Sequence, residues 1–129
     1  MLSQKMADAL NDQLNAELSS YYLYLSMSAH FETKNLAGMS NWMRMQSQEE
    51  LMHAMKFFDF INERGGLVTL TQLEGPRTKW GSILEVFEHT YAHECEVTSR
   101  IHNLVDIALS EKDHATNAFL QWLVTEQIE

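Results

Sequence analysis

The stretch QSQEELMHAMKFFDFI, residues 46–61, decides how the rest of the chain is interpreted. It contains no glycine or proline, and Glu50 and His53 stand three residues apart in it, so both side chains lie on one face of a predicted helix. The surrounding pattern predicts that this face is buried. Carboxylates buried without a counter-charge repel one another and lose hydration, so a bound cation is the simplest compensation.

A helical hairpin is used twice along the chain. Glu17 and Glu50 are 33 residues apart, Glu94 and Gln127 are also 33 apart, and a shift of 77 relates the two pairs. The same shift aligns several apolar positions, so we predict that polar residues from four helices meet at one level of a bundle. Carboxylates with one imidazole and no thiolate suit iron or manganese better than structural zinc.

Composition narrows the class of protein. With 129 residues, 45% of them hydrophobic, we expect a single domain spanning residues 1–129. There are 18 acidic and 9 basic residues, and this net charge of −9 disfavours nucleic-acid and membrane partners. The single cysteine, Cys95, is interpreted as a small buried residue, and one cysteine excludes an internal disulfide. No secretion signal or long apolar run is evident, which predicts a cytoplasmic protein.

Long segments free of helix breakers predict an all-α protein. The chain has one proline and five glycines, and we predict helices over residues 3–33, 37–64 and 82–110, and from 114 to the end. Gly65-Gly66 ends the second helix, and Ser82 with Glu85 forms a capping box for the third. The link over 65–81 spans roughly 56 Å when extended, against roughly 42 Å for a 28-residue helix. We therefore expect an antiparallel four-helix bundle whose second and third helices are joined by a long crossover and run parallel.

Four segments resemble the corresponding helices of bacterial non-haem ferritins, in the ferritin-like di-iron carboxylate family: NAELSSYYLY, QSQEELMHAMKFFDFI, YAHECEVTSRI and FLQWLVTEQIE. The resemblance covers nearly the whole chain and implies a ferritin-like bundle. It also implies a ferroxidase and iron-storage subunit, which oxidises Fe(II) to Fe(III) with dioxygen or peroxide and delivers the product to a ferric mineral core.

The resemblance assigns roles to the polar residues of the repeat. Glu17, Glu50 and His53 correspond to one iron site of these ferritins. Glu50 is expected to bridge to a second iron, which Glu94 binds and Gln127 supports. The implied cofactor is therefore a di-iron centre inside the bundle.

Further residues match positions of lower specificity. Glu49, Glu126 and Glu129 resemble the third iron site of bacterial ferritins, although a solvated charged face explains them equally well. Tyr24, two helical turns after Glu17, matches a redox-active tyrosine of the family, and the alternative is an ordinary core tyrosine. Leu51 stands where bacterioferritins carry their haem methionine, so no haem is expected.

Related ferritins continue helix four for several turns and add a fifth helix that lines the channels of a 24-subunit shell. This sequence stops at Glu129, so we expect a truncated helix four and no fifth helix in this chain. A homo-oligomer is expected, and whether a closed shell forms is left open. Two alternatives to a ferroxidase also stay open: a structural subunit that binds iron at acidic residues without fast oxidation, and a small di-iron oxidase that forms no cage.

Overall fold

The computed structural model describes residues 1–128, and these residues form four α-helices. They are α1 (Gln4–Thr33), α2 (Ala37–Glu63), α3 (Ile83–Ser110) and α4 (His114–Ile128). The predicted all-α bundle is confirmed, and the predicted helix limits agree with the observed ones to within one residue over this range. Within residues 1–128, no helix combines the length and the apolar character that crossing a bilayer requires.

Three helices end in the same hydrogen-bonded turn, in which one residue adopts a left-handed backbone. At the end of α2 this residue is Gly65, with φ of 75°, and the following amide of Gly66 donates to the Ile61 carbonyl at 2.9 Å. The glycine pair therefore ends the helix as predicted. At the ends of α1 and α3 the left-handed residues are Asn35, with φ of 58°, and Lys112, with φ of 55°.

The start of α3 follows the predicted capping arrangement in part. The Ser82 hydroxyl accepts a hydrogen bond from the Glu85 amide at 3.1 Å, as expected for an N-cap. The Glu85 carboxylate accepts from the Gly81 amide at 2.8 Å and also pairs with Arg77, so it anchors the end of the crossover.

Contacts between α1 and α3 define the direction of the second hairpin. Ser20 Oγ lies 2.8 Å from His93 Nε2, and the Thr90 hydroxyl donates to Met27 Sδ at 3.4 Å. Residue numbers rise along α1 as they fall along α3, so these two helices are antiparallel. Since the short turn after α1 makes α2 antiparallel to α1, helices α2 and α3 run parallel, as the long link predicted.

Two buried asparagines hold the crossover against α1. Asn11 donates to the Leu67 carbonyl at 2.9 Å and accepts from the Thr69 amide at 2.8 Å. Asn15, four residues after Asn11, repeats the pattern two residues further along the crossover, donating to the Thr69 carbonyl at 2.9 Å and accepting from the Thr71 amide at 3.0 Å. Four helical residues rise about 6 Å and two extended residues about 6.6 Å, so the spacings match closely enough for successive pairs to form.

The core is divided into two apolar clusters, with the polar residues between them. The lower cluster fills the end of the bundle near the start of α1 and contains Met6, Leu10, Leu14, Phe57, Ile61, Val97, Ile101, Leu104, Ala108, Leu120 and Leu123. The upper cluster fills the opposite end and contains Leu23, Tyr24, Met27, Phe31, Met43, Trp80 and Val86. Glu17, Glu50 and Glu94 lie at intermediate positions on their helices, which places them at mid-height in the bundle.

Candidate metal centre

Three of the predicted ligands converge between α1 and α2. One ligand atom each from Glu17, Glu50 and His53 lies within 4.8 Å of the other two, and all three residues are buried. His53 Nδ1 is 3.6 Å from Glu17 Oε2 and 3.4 Å from Glu50 Oε2. The Glu50 and His53 side chains reach the same point because they are one helical turn apart on α2. We refer to these three residues as the triad.

Burial and mutual charge perturb the pKa of each group in the triad. Burial, reinforced by the negative charge of Glu17, raises the pKa of Glu50 to about 8. For His53, burial favours the neutral ring, but the two adjacent carboxylates outweigh it and raise the pKa to about 10. Burial alone would raise the pKa of Glu17, yet His53, the Glu50 carboxyl group and the Gln13 amide together lower it.

The resulting charge state fits a divalent cation. Near neutral pH, Glu17 is negative, Glu50 is protonated and His53 is positive, so the metal-free triad has no net charge. If a divalent cation replaces the two protons, both carboxylates are charged, the imidazole is neutral and the cluster is again uncharged. Glu17 Oε2 is moreover buried without a hydrogen-bond partner, although such atoms are normally satisfied. The residues present therefore fit a divalent metal ion bound by oxygen and nitrogen.

The second ring nitrogen of His53 is also engaged. His53 Nε2 lies 3.0 Å from Glu126 Oε2 on α4, and the Trp122 ring contacts the imidazole edge-on at a centroid distance of 5.1 Å. A carboxylate on the far nitrogen of a metal-binding histidine fixes the ring orientation and makes the other nitrogen a better ligand. Glu126, about half exposed, thus contacts the site through His53.

Glu94 is not part of the triad and is hydrogen-bonded to Tyr24 instead. The Tyr24 hydroxyl donates a hydrogen bond to Glu94 Oε1, and the tyrosine ring packs edge-on against His93 at a centroid distance of 5.8 Å. Burial, followed by the charge of Glu94, raises the pKa of Tyr24, so the phenol stays protonated over the physiological range. Tyr24 is 1% exposed and belongs to the upper apolar cluster, so this tyrosine is a buried core residue that also contacts Glu94.

One cavity of about 750 Å³ connects these groups. The triad, Tyr24 and Glu94 line it, and three more of the residues singled out from the sequence do so too: Glu49, Glu126 and Gln127. Glu49 is exposed, whereas Gln127 is half-buried. Glu129 lies outside the described residues.

Some features of the site differ from what the sequence suggested. Cys95 is exposed at the cavity wall, so the prediction of a buried cysteine was wrong. Because Cys95 follows Glu94 directly, its side chain points in a different direction around α3, toward solvent. Gln13 was not singled out, yet its amide donates to Glu17 Oε1 at 3.0 Å and it is 3% exposed. Its position one turn before Glu17, on the apolar stripe of α1, is the sequence signal that could have identified it.

The family model and the curated relatives that match this chain all belong to the ferritins. Residues 7–129 match the model of the ferritin-like domain. The chain is 46% identical over 129 residues to a bacterial non-haem ferritin of Bacteroides fragilis, covering all of this chain and 81% of the relative. The corresponding protein of Staphylococcus aureus is 38% identical over the same 129 residues, which are 78% of its length.

Solved structures agree with the sequence comparison. An open-pore ferritin from the hyperthermophilic archaeon Archaeoglobus fulgidus is similar, with a TM-score of 0.98 at 58% identity over 99% of this chain and 79% of that one. Chlorobium tepidum ferritin superposes with a TM-score of 0.96 at 45% identity, covering 98% of this chain and 77% of that one. The resemblance seen in the four helical segments is thus confirmed, and the chain belongs to the ferritin family.

Proposed function

We propose that this iron-storage ferritin chain is a ferroxidase that binds Fe(II) at the triad and oxidises it to Fe(III) with dioxygen. The observation that carries the proposal is the buried convergence of two carboxylates and one imidazole within 4.8 Å, with one Glu17 oxygen lacking a hydrogen-bond partner. Carboxylate oxygens are hard, anionic ligands and stabilise Fe(III) more than Fe(II), which favours loss of an electron from the bound ion. Iron is the substrate here, and it leaves the site for storage after oxidation.

A second iron is proposed beside the first. Glu50 is the bridging ligand, Glu94 binds the second ion and Gln127 supports it. Their common cavity supports this assignment, and Glu94 becomes available if its hydrogen bond with Tyr24 rearranges. A third iron is proposed at Glu49, Glu126 and Glu129, for which the support is the cavity position of the first two.

Two adjacent ions match the electron requirement of the oxidant. Two Fe(II) ions give up one electron each, and dioxygen takes up both electrons with two protons to reach the level of hydrogen peroxide. Protons leave Glu50 and His53 as iron binds, so these groups supply protons close to where they are consumed. Tyr24 and the third Fe(II) are proposed to give one electron each, and these two electrons, with two protons, reduce the peroxide to two water molecules. The Tyr24 hydroxyl loses its proton through its hydrogen bond to Glu94.

The test is anaerobic loading with Fe(II), followed by oxygen and measurement of the near-ultraviolet absorbance of Fe(III). Glu17→Gln keeps the shape of the side chain and removes its charge, so we expect the initial rate to fall by at least about tenfold. Glu32→Gln, an exposed position on the same helix, is the matched control and should leave the rate unchanged. Equal rates for Glu17→Gln and the wild-type protein would instead support the alternative of a subunit that nucleates mineral at its acidic surface.

A homo-oligomer is proposed as the working form. Several apolar side chains of α1 and α2 face outward although the core is complete without them: Tyr22, Leu25, Met52 and Met55 are 42%, 36%, 59% and 47% exposed. Apolar surface of this kind is typical of subunit interfaces. Light scattering coupled to size exclusion measures the assembly directly, and a strictly monomeric chain would contradict the proposal.

A further inference from the structure

Gln13 is a buried polar residue that the proposed chemistry does not use. It lies on α1 beside Leu10 and Leu14, which belong to the lower apolar cluster, and it is 3% exposed. Placing an amide in such surroundings costs free energy unless the amide is hydrogen-bonded. The bond that it makes is directed at the site, because Gln13 Nε2 donates to Glu17 Oε1 at 3.0 Å.

This bond distinguishes the two oxygens of Glu17. Oε1 is occupied by the Gln13 amide, whereas Oε2 has no hydrogen-bond partner and lies 3.6 Å from His53 Nδ1. A carboxylate that is free to rotate can bind a cation with one oxygen or with both. With Oε1 held from below, Oε2 is the oxygen presented to the ion.

We propose that Gln13 is a positioning residue for the metal centre: it holds Glu17 Oε1 so that Glu17 binds the cation through Oε2 alone. This inference rests on the proposed function, since it requires a cation at the triad. A neutral amide is suited to the task for an electrostatic reason. A lysine or arginine at this position would repel the cation, and a carboxylate would compete with Glu17 as a ligand.

The test uses Co(II), which is a redox-inert probe here and whose visible absorption reports the number and geometry of its ligands. Gln13→Met has nearly the same shape but cannot donate the hydrogen bond. We expect it to weaken Co(II) binding by about tenfold, the usual effect of losing an outer partner of a ligand, and to change the visible spectrum. Gln48→Met, an exposed position on α2, is the control and should change neither.

Infrared difference spectra of the wild-type protein, with and without Co(II), give a second measurement that does not depend on whether Gln13→Met folds. The separation of the carboxylate stretching bands distinguishes binding through one oxygen from binding through two. The bands removed by Glu17→Gln should have the one-oxygen pattern.

The outcomes separate this inference from the proposed function. If the wild-type protein binds no Co(II) at the triad, the proposed function itself fails. If it binds Co(II) but Gln13→Met has the same affinity and spectrum, or Glu17 binds through both oxygens, then the positioning role is overturned while the metal centre stands.

Discussion

Metal binding at the triad should release about two protons per ion at neutral pH. The pKa of Glu50 is raised to about 8, so about nine-tenths of these groups are protonated at pH 7, and His53, with a pKa of about 10, is almost fully protonated. A divalent cation requires both ligands in their deprotonated forms. Protons therefore compete with the cation, and binding becomes tighter as the pH rises.

The magnitude follows from the number of protons displaced. Below about pH 8 both Glu50 and His53 must lose a proton, so the apparent affinity for the cation should increase about a hundredfold per pH unit. Between about pH 8 and pH 10 only His53 must lose a proton, and the affinity should increase about tenfold per pH unit. Calorimetric titration with Co(II) in two buffers of different ionisation enthalpy counts the released protons directly.

The exposed His102 provides a control for this count. His102→Gln removes a histidine of α3 that lies away from the site, so the number of released protons should stay the same. A wild-type release well below one proton per ion would refute the reasoning, because it would mean that the triad is already deprotonated before the cation arrives.

Three further predictions concern the framework that supports the site. Asn15→Ala should lower the free energy of unfolding, measured in urea, by about 1–3 kcal/mol, because it leaves backbone groups of the crossover unpaired. The control Asn103→Ala, on the exposed face of α3, should change this free energy little. Lys112→Gly should raise the free energy of unfolding by up to about 1 kcal/mol, because glycine adopts the left-handed backbone without strain. Glu111→Gly, at a neighbouring right-handed position, should lower the free energy of unfolding in the same assay. Phe57→Ala should destabilise the protein by about 3–5 kcal/mol and lower its melting temperature, since the ring is fully buried in the lower cluster.

The sequence predicts helix ends well where the residue type itself imposes the backbone conformation. Gly65 and Ser82 are examples, because glycine favours the left-handed turn and serine favours the N-cap. Lys112 gives no such signal. Its left-handed backbone positions Asp113, which accepts from the Thr116 amide at the start of α4 and forms an ion pair with Arg64 at 3.0 Å. That conformation is a tertiary effect, and local propensity does not reveal it.

The site is predictable from spacing up to the point where distances between helices matter. The interval from Glu50 to His53 fixes their common face, and the repeat indicates which other positions lie at the same level. The bonds from Tyr24 to Glu94 and from His53 to Glu126 depend on side-chain rotamers and on the separation of the two hairpins. Neither quantity is encoded in a spacing, so the sequence identifies the participants without identifying their partners.

The crossover explains why the polar residues meet at mid-height. Because α2 and α3 run parallel, the two hairpins are related by a two-fold axis perpendicular to the bundle, and this operation carries the top of one hairpin to the bottom of the other. Only repeat-related residues near the middle of the bundle then reach the same level. Glu17 is the fourteenth of 30 residues in α1, Glu50 the fourteenth of 27 in α2 and Glu94 the twelfth of 28 in α3.

In a bundle with short links throughout, the hairpins would be related by rotation about the bundle axis, and matching residues at any height would meet. The long link thus confines a repeated carboxylate motif to the level between the two apolar clusters, where bound cations can neutralise carboxylates that are partly removed from water.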